Sequence, residues 1–196
     1  MKTKWIIGVD EAGRGPLAGP VSVGVVKVSN DFDWELIPGV GDSKQVSESK
    51  REIVFRRAQE LRYHRQLSFT VSMVGAPIID EKGIMYAINL AILRCTRRLN
   101  LNPNDCYFKL DGSLHAPEQF RQETIIKGDS LEKVIGLASI AAKVTRDRYM
   151  ERIARYYTQY NFAQHKGYGT KAHRQAIAQY GKSPMHRVSY CKNIKT

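Results

Sequence analysis

Apolar and polar positions change their period several times along the chain, and each change marks a predicted element. Trp5 to Val9 is a short apolar run that meets the acidic pair Asp10-Glu11, and Val21 to Val28 is a second run, rich in valine. Between them lies the Gly- and Pro-dense stretch Gly13 to Pro20, so the pattern predicts two strands joined by a shaped loop. From Ser47 to about Arg65, Ile53, Val54, Ala58 and Leu61 form an apolar stripe behind a Ser47 or Ser49 N-cap, opposite a basic face. Leu67 to Val74 alternates as a third strand. Ile78 to Leu99 reads as one long amphipathic helix with Ile84, Ile88, Ala91 and Leu93 inward, its first turn weakened by Gly83. Cys106 to Leu110 and Glu123 to Ile126 predict two further strands, ended by Asp111-Gly112 and by Lys127-Gly128-Asp129. The longest helix is expected from about Ser130 to Tyr157, and a last one near Lys171 to Gln179.

Strands first, then helices and strands in alternation, suggest an α/β or α+β layer that gathers acidic residues at strand ends. The 196 residues, 42% of them hydrophobic, suffice for one compact domain with a real core. There is no repeat, low-complexity tract or obvious linker.

Charge narrows the partners. Lys and Arg number 31 against 19 Asp and Glu, a formal charge of +12. Such a field draws polyanions, and nucleic acid ranks ahead of an anionic membrane face or an acidic protein. The basic residues sit within segments of apolar periodicity, which places them on a folded surface rather than in a disordered arm. Cys95, Cys106 and Cys191 lack the close pairing of a zinc knuckle or a disulfide framework. The apolar run near Met1 is too short for a signal peptide, and no stretch is predicted to span a membrane. A reducing cytoplasm is the expected compartment.

Four carboxylates stand at predicted element boundaries: Asp10, Glu11, Asp111 and Asp129. If they converge without matching cations they repel one another, and hard cations such as Mg²⁺ or Mn²⁺ relieve that repulsion. Two such ions can activate a water and stabilise a leaving alkoxide, so phosphodiester hydrolysis is the natural reaction. Each acid also has an ordinary reading. Asp129 opens Asp-Ser-Leu-Glu, a capping-box pattern with Glu132; Asp111-Gly112 can be a plain turn, and Asp10-Glu11 a solvated strand end. Spacing alone does not show that the four meet. No base is placed beside Ser139 as a nucleophile would require, though it can hydrogen-bond near the site. His115, His165, His173 and His186 are too dispersed for a zinc motif, with His165 expected nearest the substrate.

The segment Gly8-Val9-Asp10-Glu11-Ala12-Gly13-Arg14-Gly15-Pro16-Leu17-Ala18-Gly19-Pro20-Val21 resembles the N-terminal signature of the ribonuclease HII (type 2 ribonuclease H) family. Family-like blocks follow in order: Asp42-Ser43-Lys44, Leu110-Asp111-Gly112, Lys127-Gly128-Asp129-Ser130, Ala138 to Arg148, and His165-Lys166-Gly167-Tyr168-Gly169-Thr170. The resemblance covers nearly the whole chain. It implies an α/β fold, a ribonuclease H-like mixed β-sheet flanked by α-helices with a small C-terminal helical segment. Residues 1–196 would form one catalytic domain in which about 160–196 contact substrate.

By the same resemblance Asp10, Glu11, Asp111 and Asp129 would hold two divalent ions, Mg²⁺ or Mn²⁺. The enzyme would cut 5′ of ribonucleotides in RNA/DNA hybrids and at single ribonucleotides in duplex DNA, leaving 3′-hydroxyl and 5′-phosphate ends. Its roles would be hybrid removal and ribonucleotide excision. Gly13, Arg14 and Gly15 would bring backbone close to the ribose 2′-hydroxyl, the group that distinguishes RNA from DNA. Tyr168 matches the family tyrosine that packs on the next sugar and senses the junction to DNA. Lys44, Lys143, Arg146 and Lys166 are candidates for phosphate contacts or for balancing the acids; Lys143 and Asp147, spaced i, i+4, also read as a surface pair. Two stretches depart from the family pattern, Val134 to Leu137 at the start of the long helix and Lys82-Gly83 after Ile79-Asp80. A non-catalytic nucleic-acid binder fits the charge but makes no use of the four acids. The related type 3 ribonuclease H usually carries an extra N-terminal domain, whereas the first strand here begins almost at Met1, and Tyr168 also favours type 2. The chain is expected to act as a monomer. It stops soon after Ser183-Pro184-Met185-His186-Arg187, so no clamp-binding tail or stable sliding-clamp partner is expected.

Overall fold

A computed structural model describes residues 3–40 and 47–194. Its five strands, β1 (Trp5–Ala12), β2 (Val21–Ser29), β3 (Ser68–Val74), β4 (Cys106–Asp111) and β5 (Arg121–Ile125), form one sheet in the order β3-β2-β1-β4-β5. β1, β2 and β3 pair antiparallel, while β1–β4 and β4–β5 are parallel. This is the mixed sheet that the resemblance implies, within the α/β layering that the sequence pattern suggests. Helices α1 (Glu48–Tyr63), α2 (Ala76–Lys82), α3 (Ile84–Arg98), α4 (Gly128–Leu131), α5 (Lys133–Ala154), α6 (Phe162–His165) and α7 (Lys171–Tyr180) cover it. Among the described residues, no helix is long and apolar enough to cross a membrane.

Successive strand residues point to opposite faces, and β2 shows the consequence. Val23 and Val25 pack with Ala87, Ile88 and Ala91 of α3, whereas Val26 and Val28 pack with α1 and α5. On the α5 side, Gly8 and Gly24 hold the helix against the sheet. A Cβ on either would stand 2.2 Å from the carbonyl oxygen of Val134 or Ala138, respectively. The valine, isoleucine and leucine at the start of α5 are buried there, so the departure at Val134 to Leu137 is absorbed by the core. A smaller third cluster joins Leu17 and Ala18 to Met150 and Ile153 of α5 and to Tyr160, Phe162, Ile177 and Cys191.

Four expectations need correction. The helix expected over 78–99 is two helices, because Gly83 at φ 87° breaks the ladder; Ile92 and Cys95 take the core positions and Leu93 is only half-buried. In α1 the inward stripe is Val54, Phe55, Ala58 and Leu61, and Ile53, a full residue's rotation away, is 66% exposed. The helix expected from Ser130 is interrupted at Glu132, which is extended between α4 and α5. The capping box does not form. Asp129 lies inside α4, whose N-cap is the left-handed Lys127, and Glu132 accepts from Lys109 Nζ at 2.8 Å instead of reaching back.

Candidate active site

β1 and β4 run parallel with Val9 opposite Leu110, which brings Asp10 and Asp111 to neighbouring C-terminal strand ends. That edge is where open α/β sheets bind ligands. Asp10 shares the parity of Gly8 and faces α5, where Ser139 donates a hydrogen bond to it. The Glu11 amide donates to Asp10 Oδ1 at 2.7 Å, and the Asp129 amide approaches Asp111 Oδ1 at 3.4 Å. The interruption at Glu132 thus leaves a short turn that tucks Asp129 behind Asp111. Asp10, Glu11 and Asp111 line a cleft of about 390 Å³ with Gly13, Arg14, Gly15 and Tyr168. Asp129 is wholly buried and does not line it. Among the described residues, no group of three or more His, Cys, Asp or Glu side chains is already arranged to hold a metal ion.

The cleft acids are held at a cost. Burial pushes Asp10 well above the ordinary carboxylate range; the Ser139 hydrogen bond opposes this, and the charges of Glu11 and Asp111 add to it. Burial also raises Glu11, while the Arg14 guanidinium pulls it back and Asp111 pushes it up. Arg14 offers only a 3.3 Å contact from an exposed side chain and divides its donors between Glu11 and the Met85 sulfur. The crowded carboxylates are an all-oxygen donor set that suits a hard divalent ion, although Arg14, Arg51 and Lys143 line the same cleft.

Expected substrate contacts separate into several groups. Gly13, Arg14, Gly15, Lys143 and Tyr168 are in the cleft. Lys143 pairs with Asp147 at 2.8 Å and stands 5.9 Å from the Tyr168 ring centre. That pair is not a surface pair, because Asp147 is buried at the edge of the site. Arg146 is corrected. It is fully buried and donates to the carbonyls of Ala18, Pro20 and Lys166, so it reaches no phosphate. Its side chain also occupies the space beside Gly13, whose φ is 88° and where a Cβ would stand 2.0 Å from Arg146 Nε. Lys166 is held by Glu151 and by the Ala163 carbonyl, both at 2.6 Å, and is not part of the cleft wall. Asp42, Ser43 and Lys44 lie outside the described residues.

Sequence reasoning missed several groups here. Arg51 lines the cleft from α1, carried on a basic face that has no motif of its own. Arg187 is buried and donates to the carbonyls of Gly13, Arg14 and Gly19. Three of the dispersed histidines prove to be neighbours. His165 and His173 stack at 4.3 Å, and His173 Nε2 lies 3.1 Å from His186 Nε2. Burial lowers His165 and pushes His173 and His186 down to about 4, so all three are neutral near pH 7. Only tertiary contacts reveal these groups.

The ribonuclease HII family model matches residues 7–193. Ribonuclease HII of Endomicrobium trichonymphae is 44% identical over 187 residues, 94% of this chain and 84% of that protein. The crystal structure of ribonuclease H2 from Pyrococcus horikoshii superposes with a TM-score of 0.73 at 26% identity, over 97% of each chain. Ribonuclease HII of Archaeoglobus fulgidus, solved in complex with PCNA, gives 0.72 at 26% identity, over 96% of this chain and 94% of that one. The sheet order, the paired strand ends with their acids and these likenesses agree: the chain belongs to the ribonuclease HII family, ribonuclease H endonucleases that act on RNA/DNA hybrids.

Proposed function

We propose that this cleft hydrolyses the phosphodiester bond on the 5′ side of a ribonucleotide, in hybrids and at single ribonucleotides embedded in duplex DNA. The observation that carries the reading is the placement of Asp10, Glu11 and Asp111 in one cleft with Gly13, Gly15 and Tyr168. Asp10, Glu11 and Asp111, backed by Asp129, hold Mg²⁺ or Mn²⁺. Bound there, two divalent ions supply charge for the attacking water and the departing 3′ oxygen. The protein does the rest. Ser139 aims Asp10 and opposes the rise in its proton affinity, Arg14 restrains Glu11, and the Gly13–Gly15 backbone approaches the ribose. Tyr168, 45% exposed in the same cleft, packs on the sugar that follows. Cleavage leaves a 3′-hydroxyl and a 5′-phosphate.

In this reading residues 1–196 act as one catalytic domain and as a monomer, with about 160–196 as a C-terminal helix and tail that contact substrate. Lys143 steadies a phosphate, and the +12 charge gathers the duplex. The three cysteines, buried as free thiols, suit a reducing cytoplasm. The test is cleavage of a DNA duplex carrying one ribonucleotide, with Mg²⁺ or Mn²⁺, against an all-DNA duplex and the Asp10→Asn variant. A single 5′-side cut that needs both metal and Asp10 supports the proposal. A folded protein that binds the duplex and cuts it with neither ion would replace it with a non-catalytic binding role.

A further inference from the structure

The cleft has two ribose-facing parts, the Gly13–Gly15 turn and Tyr168, separated by more than 150 residues of sequence. Neither belongs to a helix or to the five-stranded sheet beyond Ala12, and both depend on the C-terminal segment. Leu17 and Ala18 lie between two other segments. Their amides donate to the Gly167 carbonyl on one side, while on the other Arg187 N–H donates to Leu17 O and Gly19 N–H donates to Met185 O, both at 2.8 Å. Ala18 and His186 form an isolated bridge.

Two adjacent side chains continue this arrangement to the two reading elements. The Arg187 guanidinium spans the turn, with Nη2 on Gly13 O at 2.6 Å, Nη1 on Arg14 O at 2.8 Å and Nε on Gly19 O at 3.0 Å. His186 reaches Tyr168 through a second histidine. A carbonyl only accepts, so His173 Nδ1 must donate to Tyr168 O at 2.9 Å. In the neutral ring Nε2 is then an acceptor, which requires His186 Nε2 to donate to it at 3.1 Å. His186 Nδ1 is left to accept from the Ser183 amide and hydroxyl, both at 2.9 Å. Each partner dictates the next tautomer, and the direction is fixed from Ser183 to Tyr168. Asp80 of α2 secures the far side by accepting from the amides of Val188 and Ser189.

We propose that His186 and Arg187 are positioning residues that lock Tyr168 and the Gly13–Gly15 turn at a set separation, and thereby set the preference for a ribonucleotide followed by DNA. This rests on the ribonucleotide-cutting role proposed above. A long hybrid offers a 2′-hydroxyl at every step and tolerates slack between the two elements. A single ribonucleotide offers one register only. Loosening the lock therefore costs the single site more than the hybrid, without touching the acids that hold metal.

The experiment measures kcat/KM on a one-ribonucleotide duplex and on a long hybrid, for wild type, Arg187→Lys, His186→Leu and His186→Gln, with and without Tyr168→Ala. Lysine keeps the charge but cannot span three carbonyls. Glutamine places a donor near the position of His186 Nε2. Arg187→Lys and His186→Leu are expected to lower single-site cleavage about tenfold or more and hybrid cleavage less than about threefold. His186→Gln should recover much of the loss. Once Tyr168→Ala is present, His186→Leu should cost nothing further on the single site, because His186 acts through that tyrosine. Equal losses on both substrates, or losses that add to Tyr168→Ala, overturn the inference and leave a packing role. Should His186→Leu fail to fold, Arg187→Lys and His186→Gln still report the substrate ratio. A wild type that never cuts the single site would instead remove the function on which the inference rests.

Discussion

Two regions of the molecule bury ionisable groups, and they handle them in opposite ways. At the ends of β1 and β4, burial raises the proton affinity of Asp10 and Glu11 and the charge of Asp111 adds to it, while Arg14 reaches Glu11 from an exposed position. A few residues away, Arg146 and Arg187 are buried just as deeply, yet each guanidinium meets three backbone carbonyls, and the histidines beside them are neutral and bonded at both ring nitrogens. The first region leaves carboxylates crowded in an open cleft. The second is already satisfied. Buried charge that is crowded in an open cleft marks chemistry, whereas buried charge saturated by carbonyls marks a fixed scaffold.

The contrast predicts opposite responses to mutation. Asp10→Asn and Asp111→Asn should each lower cleavage roughly 10³-fold or more, since a several-kcal/mol metal contribution is lost. Their Tm should hold or rise, because a repelling charge is removed. Steady-state cleavage and a thermal melt of the same samples check both halves; retained activity would remove the residue from the metal site. Arg146→Met should do the reverse in stability. It leaves three carbonyls without their donor, at about 1–3 kcal/mol each before the relief of burying a charge. A net loss of about 3 kcal/mol lowers Tm by roughly 6–12 °C in a chain of this size. An unchanged melt would show that the clamp contributes nothing.

The histidines give a pH arm. Burial holds His173 and His186 at about 4 in the folded state against 6.5 when exposed. The unfolded chain therefore takes up protons first. Their contribution is fully present above about pH 6.5, falls as the pH drops, and levels off near pH 4. Melting from pH 8 to pH 4 should show that decline, and His173→Phe should flatten it; a variant with the wild-type slope would assign the decline elsewhere. The smallest expected effect lies between the two regions. Lys143→Gln should leave Tm nearly unchanged and reduce the slope of log binding constant against log salt by about one, whereas an unaltered slope would exclude a phosphate contact.

Much of this was legible in the sequence. The five strands, α1 and α7 follow from period and capping residues close to their observed bounds, and the acids at strand ends follow from where the apolar runs stop. Helix interruptions were not legible, for different reasons. At Gly83 the local signal was present but weaker than the flanking periodicity; at Glu132 a tertiary bond to Lys109 overrides a good capping pattern. Arg146 illustrates the limit for single residues. An arginine inside a family-like block reads as a phosphate ligand, and only its burial beneath the Ala18–Pro20 carbonyls shows otherwise.

The sequence by itself determined the class of fold and the family, and it singled out acids where predicted strands end. Those properties are written in local order: the period of a strand, the spacing of a motif, the residue that ends a run. The tertiary structure alone decided which charges are satisfied and which are crowded. It placed Asp129 behind Asp111, joined His186 to Tyr168 through His173, and spread Arg187 across Gly13 and Arg14. Hydrogen bonds between segments, whether 13 residues apart as in His173–His186 or 174 as in Gly13–Arg187, leave no period in the chain, and burial is a property of the packed whole.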